Sequence, residues 1–168
     1  MHSSNAAAER RQRFDQYVAV YHQDMYRYAA WLSRDLVIAQ DVVQEALLRA
    51  WKSLDHLRDE GSAKQWLLTI VRRENARYFE RKRLETVDID NLTASQEALL
   101  GVEENNELDE LRKAIYELDD DYREPLVLQV LMGYSTNEIA EQMGLKQGAV
   151  LTRLHRARAR LKDNMEQQ

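Results

Sequence analysis

The sequence predicts an all-α protein of two small helical domains joined by an acidic linker, and three observations carry that prediction. Glycine and proline are scarce, with five Gly and one Pro in 168 residues, too little punctuation for the hairpins of a sheet. Apolar residues recur at three- and four-residue spacing toward both ends of the chain, the period of a helix with one buried face. Charge is segregated: residues 1–83 hold 15 basic and 11 acidic side chains, residues 84–124 hold 3 and 14, and residues 125–168 hold 6 and 4. The formal charge of −5 therefore masks two basic ends, each suited to a nucleic-acid partner.

The first domain is expected over 9–83, and residues 1–8 are given no role. Phe14, Tyr17, Val18, Tyr21, Met25, Tyr28, Ala29 and Leu32 form one apolar stripe on a long helix. Ser33, Arg34 and Asp35 break it. A second helix carries Val43, Ala46, Leu47, Ala50, Trp51 and Leu54 inward, with Asp41, Gln44, Glu45, Leu48, Arg49 and Lys52 on or beside the other face. After Arg58-Asp59-Glu60-Gly61, Ser62 followed by Gln65 reads as a capping box that opens a third helix. That helix runs to about Arg83, with Trp66, Leu67, Ile70 and Tyr78 buried and Arg72, Arg73, Arg77, Arg81, Lys82 and Arg83 making it basic. Three helices around one core complete this half.

Residues 84–108 contain seven acids and no Lys or Arg, and 84–105 reads as an acidic flexible linker. The second domain is expected over 106–163. A helix from Asn106 to Leu118 leads to the acidic turn Asp119-Asp120-Asp121, then to a helix around Pro125–Met132 with the proline in its first turn. Ser135-Thr136-Asn137-Glu138 is a second capping box, opening a short helix that Gly144 closes. The last helix, Gln147–Lys162, buries Val150, Leu154, Ala157 and Leu161 and turns Gln147, Leu151, Thr152 and His155 outward with several arginines.

Ala140 at the crossing, Gly144 in the turn and Ile139, Leu145, Val150 and Leu154 as the lock make a helix-turn-helix. From Lys146 to Lys162 there are six basic groups and no acid, which suits a helix laid in a DNA major groove. The plainer alternative is an arginine-rich solvated helix of a bundle. Other classes find less support. With no Cys and four scattered His, neither a disulfide, a metal site nor a cofactor is expected. Asp41 and Glu45 share a helix face, but no His, Lys or ligand set joins them, so no enzyme is expected. No stretch approaches a membrane span or a signal-peptide core, which fits a cytoplasmic protein.

Three segments in order resemble the extracytoplasmic-function (ECF) group of bacterial RNA polymerase sigma factors, which retain only the second and fourth sigma domains. They are Asp41-Val42-Val43-Gln44-Glu45-Ala46-Leu47-Leu48-Arg49-Ala50-Trp51, Trp66-Leu67-Leu68-Thr69-Ile70-Val71-Arg72-Arg73, and Glu138-Ile139-Ala140 through Gly144 to Val150-Leu151-Thr152-Arg153-Leu154-His155-Arg156-Ala157-Arg158. The resemblance implies a factor that binds core RNA polymerase and directs promoter-specific initiation. Asp41, Gln44, Glu45, Leu48 and Arg49 would meet the clamp helices of the largest subunit, and the second domain the flap. Asp59, Gly61, Ser62 and Lys64 would capture a base of the minus-ten element, with Arg72, Arg73, Arg77 and Lys82 on the strand. Leu151, Thr152 and His155 would face bases of the minus-thirty-five element, with Arg153 and Arg156 on phosphates and Gln147 also meeting this DNA.

Two positions depart from the family. Arg73 stands where many members have Asn, which favours phosphate over base contact. Leu151 stands where Lys or Arg is frequent, which favours a thymine methyl over guanine. The resemblance further implies a linker threading polymerase channels and an anti-sigma factor covering the polymerase-binding faces. A stand-alone helix-turn-helix regulator is the alternative, but it would not need the second basic region at Arg72–Arg83.

Overall fold

The computed structural model describes residues 2–85 and 106–167. Among them are seven α-helices and no strand. The helices are α1 (His2–Ser33), α2 (Leu36–Ser53), α3 (Ala63–Glu85), α4 (Asn106–Tyr116), α5 (Asp120–Val130), α6 (Thr136–Met143) and α7 (Gln147–Glu166). The acidic connector expected over 84–105 lies, from residue 86 onward, outside the described residues. The chain forms two compact units. The described residues up to Ala29 and from Val37 to Glu85 belong to one, and Ala30–Leu36 with those from Asn106 onward to the other.

In the first unit α1 begins at His2, so most of the stretch that was given no role is helical. Ala6, Ala7 and Ala8 are the strongest helix formers, and Asn5 Nδ2 donates to Glu9 Oε1 at 2.7 Å. The expected stripe is buried only in its last turns, at Met25, Tyr28 and Ala29; Val42, Val43, Ala46 and Ala50 of α2 and Leu67, Leu68 and Val71 of α3 are buried in the same unit. Each such Leu or Val contributes about 1.5–3 kcal/mol by leaving water. Trp51, expected inside, is half-buried: Phe14 meets its ring edge-on at 5.2 Å between centroids.

Between α2 and α3 the chain makes two 3-10 turns, Leu54–His56 and Glu60–Ser62. Asp59 organises the turn before α3. Its Oδ1 accepts from the Gly61 N–H at 3.0 Å and its Oδ2 from the Ser62 hydroxyl at 3.0 Å. An aspartate at the start of the turn reaches both groups, and Ser62, just before α3, donates to it.

In the second unit α5 starts at Asp120, about a turn and a half earlier than Pro125 predicts. The Asp119 carbonyl accepts from the N–H groups of Tyr122 and Arg123 at 2.9 and 2.8 Å, and Asp120 and Asp121 offset the positive end of the helix. Pro125 therefore lies inside α5, where it removes one helical hydrogen bond without ending the helix. Gly133, at φ +71, closes α5 with Tyr134 N–H donating to Leu128 O at 3.0 Å.

The second capping box forms as expected. Ser135 Oγ accepts from Glu138 N and Glu138 Oε2 from Ser135 N, at 3.2 and 2.7 Å. Gly144 is left-handed at φ +65, and Leu145 N–H donates to Ala140 O at 2.9 Å. α7 packs on α5 and α6 and buries Val150, Leu154 and Ala157, as those helices bury Leu128, Ile139 and Ala140, and it runs one turn beyond Lys162.

Candidate functional site

On α2, Asp41, Gln44, Glu45, Leu48 and Arg49 are all exposed. Leu48 is 56% accessible, an unusual exposure for a leucine ringed by polar groups and one that suits a protein interface. Asp41, Gln44 and Glu45 also line a groove with Tyr78, Arg81, Lys82 and Glu85 of α3. Arg49 differs from the other four. It turns toward α3 and pairs with Glu74.

Glu74 is the residue that pattern reading missed. It is 3% exposed, and its Oε1 also accepts from Arg77 Nη1 at 2.9 Å. A buried carboxylate persists only when paired and hydrogen-bonded, and two guanidiniums meet that need here. The signal was present in the sequence, because Glu74 continues the spacing of Leu67, Ile70 and Val71 on the apolar side of α3. An acid in an apolar stripe marks a buried ion pair.

The eight residues expected at the minus-ten element fall in the turn before α3 and along α3. Asp59 caps the turn, accepting from the Gly61 N–H and the Ser62 hydroxyl, and Lys64 Nζ lies 3.9 Å from Asp24 Oδ2 of α1. Along α3, Arg73 and Arg77 share a shallow depression with Arg49, Lys52 and Glu74. Lys82 stands about two and a half turns beyond Arg73, on the opposite side of the helix, with its ammonium 5.8 Å from the Tyr78 ring. Arg72 is half-buried and Arg73 exposed.

Two further arginines bear on the turn before α3. Arg13 of α1 donates from Nη2 to Leu57 O at 2.6 Å and from Nε to the Tyr17 hydroxyl at 3.1 Å, and its Nε lies 3.9 Å from Glu60. The bond to Tyr17 holds the guanidinium above its ordinary value, so its charge is constant at any working pH. Arg10 stacks 4.1 Å above the Trp51 ring, donates to Trp51 O and pairs with Asp55 at 3.2 Å.

In the second unit, Leu151, Thr152, His155 and Arg156 lie together on the exposed side of α7, with Leu151 52% accessible. Gly148 sits among them at the start of the helix, with nothing within 4 Å of the position a Cβ would take. Gln147 Nε2 donates to Thr136 Oγ1 at 3.1 Å, tying together the starts of α6 and α7. The Thr152 hydroxyl donates to Gly148 O at 3.0 Å, which leaves its oxygen free to accept. Arg153, expected on phosphate, is half-buried and pairs with Asp121 at 3.2 Å. Arg160 likewise pairs with Asp119 at 2.7 Å and stacks 4.4 Å above Tyr122, and Arg158 bonds Gln129.

Among the described residues, no group of His, Asp and Glu could hold a metal ion, and no helix is long and apolar enough to cross a membrane.

Two family models match the chain: Sigma-70 region 2 over residues 17–85 and Sigma-70, region 4 over residues 108–161. Among curated relatives, the ECF RNA polymerase sigma factor SigL of Mycobacterium tuberculosis is 34% identical over 167 residues, covering 92% of this chain and 89% of its own. The ECF sigma factor SigM of Bacillus subtilis is 30% identical over 151 residues, covering 88% and 92%. Among solved structures, the sigma factor RpoE of Bartonella quintana, in complex with the anti-sigma factor NepR, is 26% identical. It superposes with a TM-score of 0.77 over 92% of this chain and 98% of its own. CnrH, in complex with the cytosolic domain of CnrY, gives a TM-score of 0.67 at 25% identity over 97% and 94%.

Proposed function

The chain belongs to the ECF group of the sigma-70 family and directs transcription initiation, and from that premise we propose how its residues divide the work. Residues 9–83 act as sigma domain 2 and residues 106–163 as sigma domain 4, with 84–105 as the connector. The α2 face of Asp41, Gln44, Glu45 and Leu48 docks on the polymerase clamp helices, with Arg49 held at its edge by Glu74. The Asp59–Lys64 turn receives a base from the opened minus-ten element, while Arg72, Arg73, Arg77 and Lys82 neutralise strand phosphates. α7 enters the major groove at the minus-thirty-five element with Gln147, Leu151, Thr152 and His155 toward bases and Arg156 on phosphate. Arg153 reaches phosphate only by exchanging it for Asp121.

The polymerase performs the chemistry, and this chain supplies promoter choice; it works in the cytoplasm, where that enzyme is. An anti-sigma factor, as in the RpoE–NepR complex, would silence it by covering the α2 face. The observation that carries this reading is the outward set on α7, presented by a helix-turn-helix whose capping box and left-handed glycine are both formed. A stand-alone regulator would leave the exposed Leu48 and the basic α3 unused. Run-off transcription with core polymerase on a promoter library tests the reading. Initiation that depends on this chain and on both promoter elements supports it. Tight duplex binding by the free protein, without polymerase-dependent initiation, would favour the regulator.

A further inference from the structure

We propose that Arg13, assisted by Arg10, is a positioning residue for minus-ten recognition: it fixes the Leu57–Ser62 turn in the shape that captures a base. The inference rests on the reading of that turn given above and goes beyond it, since both arginines precede the region-2 match, which begins at residue 17.

The turn has little to hold it. Leu57 is buried, but Arg58, Asp59, Glu60 and Gly61 are exposed, and the polar bonds inside it come from Asp59 alone. Asp59 shapes the end next to α3. The other end is held by α1: Arg13 Nη2 donates to Leu57 O at 2.6 Å, with Glu60 3.9 Å from its Nε. Arg10 fastens the preceding turn through Trp51 O and Asp55. Leu57 is extended, as Asp59 is, between the two 3-10 turns, so its carbonyl would otherwise depend on water, and the direction of the chain entering Arg58 would be free. Charge-assisted hydrogen bonds are the strong ones, and two arginines one helical turn apart brace one short connection. The braced length of α1 packs little of its own surface: Arg11, Gln12, Asp15 and Gln16 are exposed. This part of the helix meets the rest of the unit through the Phe14–Trp51 ring contact and through these two arginines.

The test uses the full-length chain with core polymerase and abortive initiation from promoters varied one base at a time across the minus-ten element. Affinity for core polymerase and thermal unfolding are measured in parallel. Arg13→Ala is expected to reduce discrimination at the captured base by about tenfold, the effect of losing one charge-assisted hydrogen bond. Affinity for core polymerase should stay unchanged, because the α2 face is not touched. Arg13→Lys, which keeps a charged donor, should restore part of the discrimination. Arg10→Ala should produce a smaller loss of the same kind, and it serves as the second variant if Arg13→Ala unfolds. Asp59→Ala separates the two readings. If it lowers discrimination while Arg13→Ala and Arg10→Ala do not, the bracing is overturned and the capture turn stands. If none of them changes it, both fall. Equal losses of polymerase affinity and base discrimination in Arg13→Ala would also overturn the proposal, since they would mark a merely structural role.

Discussion

Arg49 of α2 and Arg77 of α3 close on the same carboxylate oxygen, Oε1 of Glu74. One residue belongs to the face assigned to polymerase and the other to the row assigned to the promoter strand, so a single buried acid sets the geometry of both. Replacing it should be costly. Glu74→Ala leaves two guanidiniums facing each other across an empty site, and an expected loss of about 2 kcal/mol follows from removing one member of a buried pair whose partners remain half-solvated. Urea unfolding measures it. Arg49→Ala, which leaves Glu74 paired with Arg77, should cost less than half as much.

The capping box of α6 fixes the angle at which the helix-turn-helix begins. Ser135→Ala removes the acceptor for Glu138 N–H and should lower stability by about 1 kcal/mol. Thermal unfolding of the full chain would show it, and binding to promoter DNA in the presence of polymerase should weaken in parallel.

Gly148 separates stability from recognition. A methyl group there meets no protein atom, so Gly148→Ala should stabilise the fold by up to about 1 kcal/mol through helix propensity. If α7 lies in the groove as proposed, the same methyl intrudes between helix and DNA, and promoter affinity should fall while the melting temperature rises. A rise in both would show that this face stays away from the duplex.

Arg153 and Asp121 give a prediction of opposite sign. Asp121→Asn keeps the size of the side chain but releases the guanidinium from its ion pair. Affinity for promoter duplex should then increase by about two- to fivefold, the value of a partly exposed ion pair, and the salt dependence should steepen by about one counterion. Arg156→Ala should do the reverse, weakening binding uniformly across sequences, whereas Thr152→Ala or His155→Ala should change base preference. Filter binding across salt concentrations distinguishes these outcomes.

Helix period, caps and the left-handed glycine were legible because each is a local property of a few neighbouring residues. Ser135 and Glu138 bond as their spacing indicates. Ser62 and Gln65 have the same spacing, but what the structure shows of Ser62 is its hydroxyl donating to Asp59 Oδ2, a bond to an upstream residue that the spacing does not announce. Pro125 misled because proline tolerates the first turn without requiring it, and the three aspartates before it are better helix starters than a turn. The site was legible face by face but not in its internal pairings. Outward positions on α2 and α7 follow from counting residues, whereas Arg49 with Glu74, Arg13 with Leu57 and Arg153 with Asp121 join segments distant in sequence. An arginine read as free for phosphate is spoken for when folding places an acid beside it.

The acidic start of α5 has a consequence for how the protein behaves before it meets a polymerase. With Asp119 and Asp121 occupying Arg160 and Arg153, fewer cations are left on α7 to displace ions from an arbitrary duplex, and non-specific retention depends steeply on that number. A chromosome is an enormous sink of such duplex. If α7 meets DNA as proposed, the same pairs leave more of the free subunit off arbitrary duplex and open to capture by core enzyme.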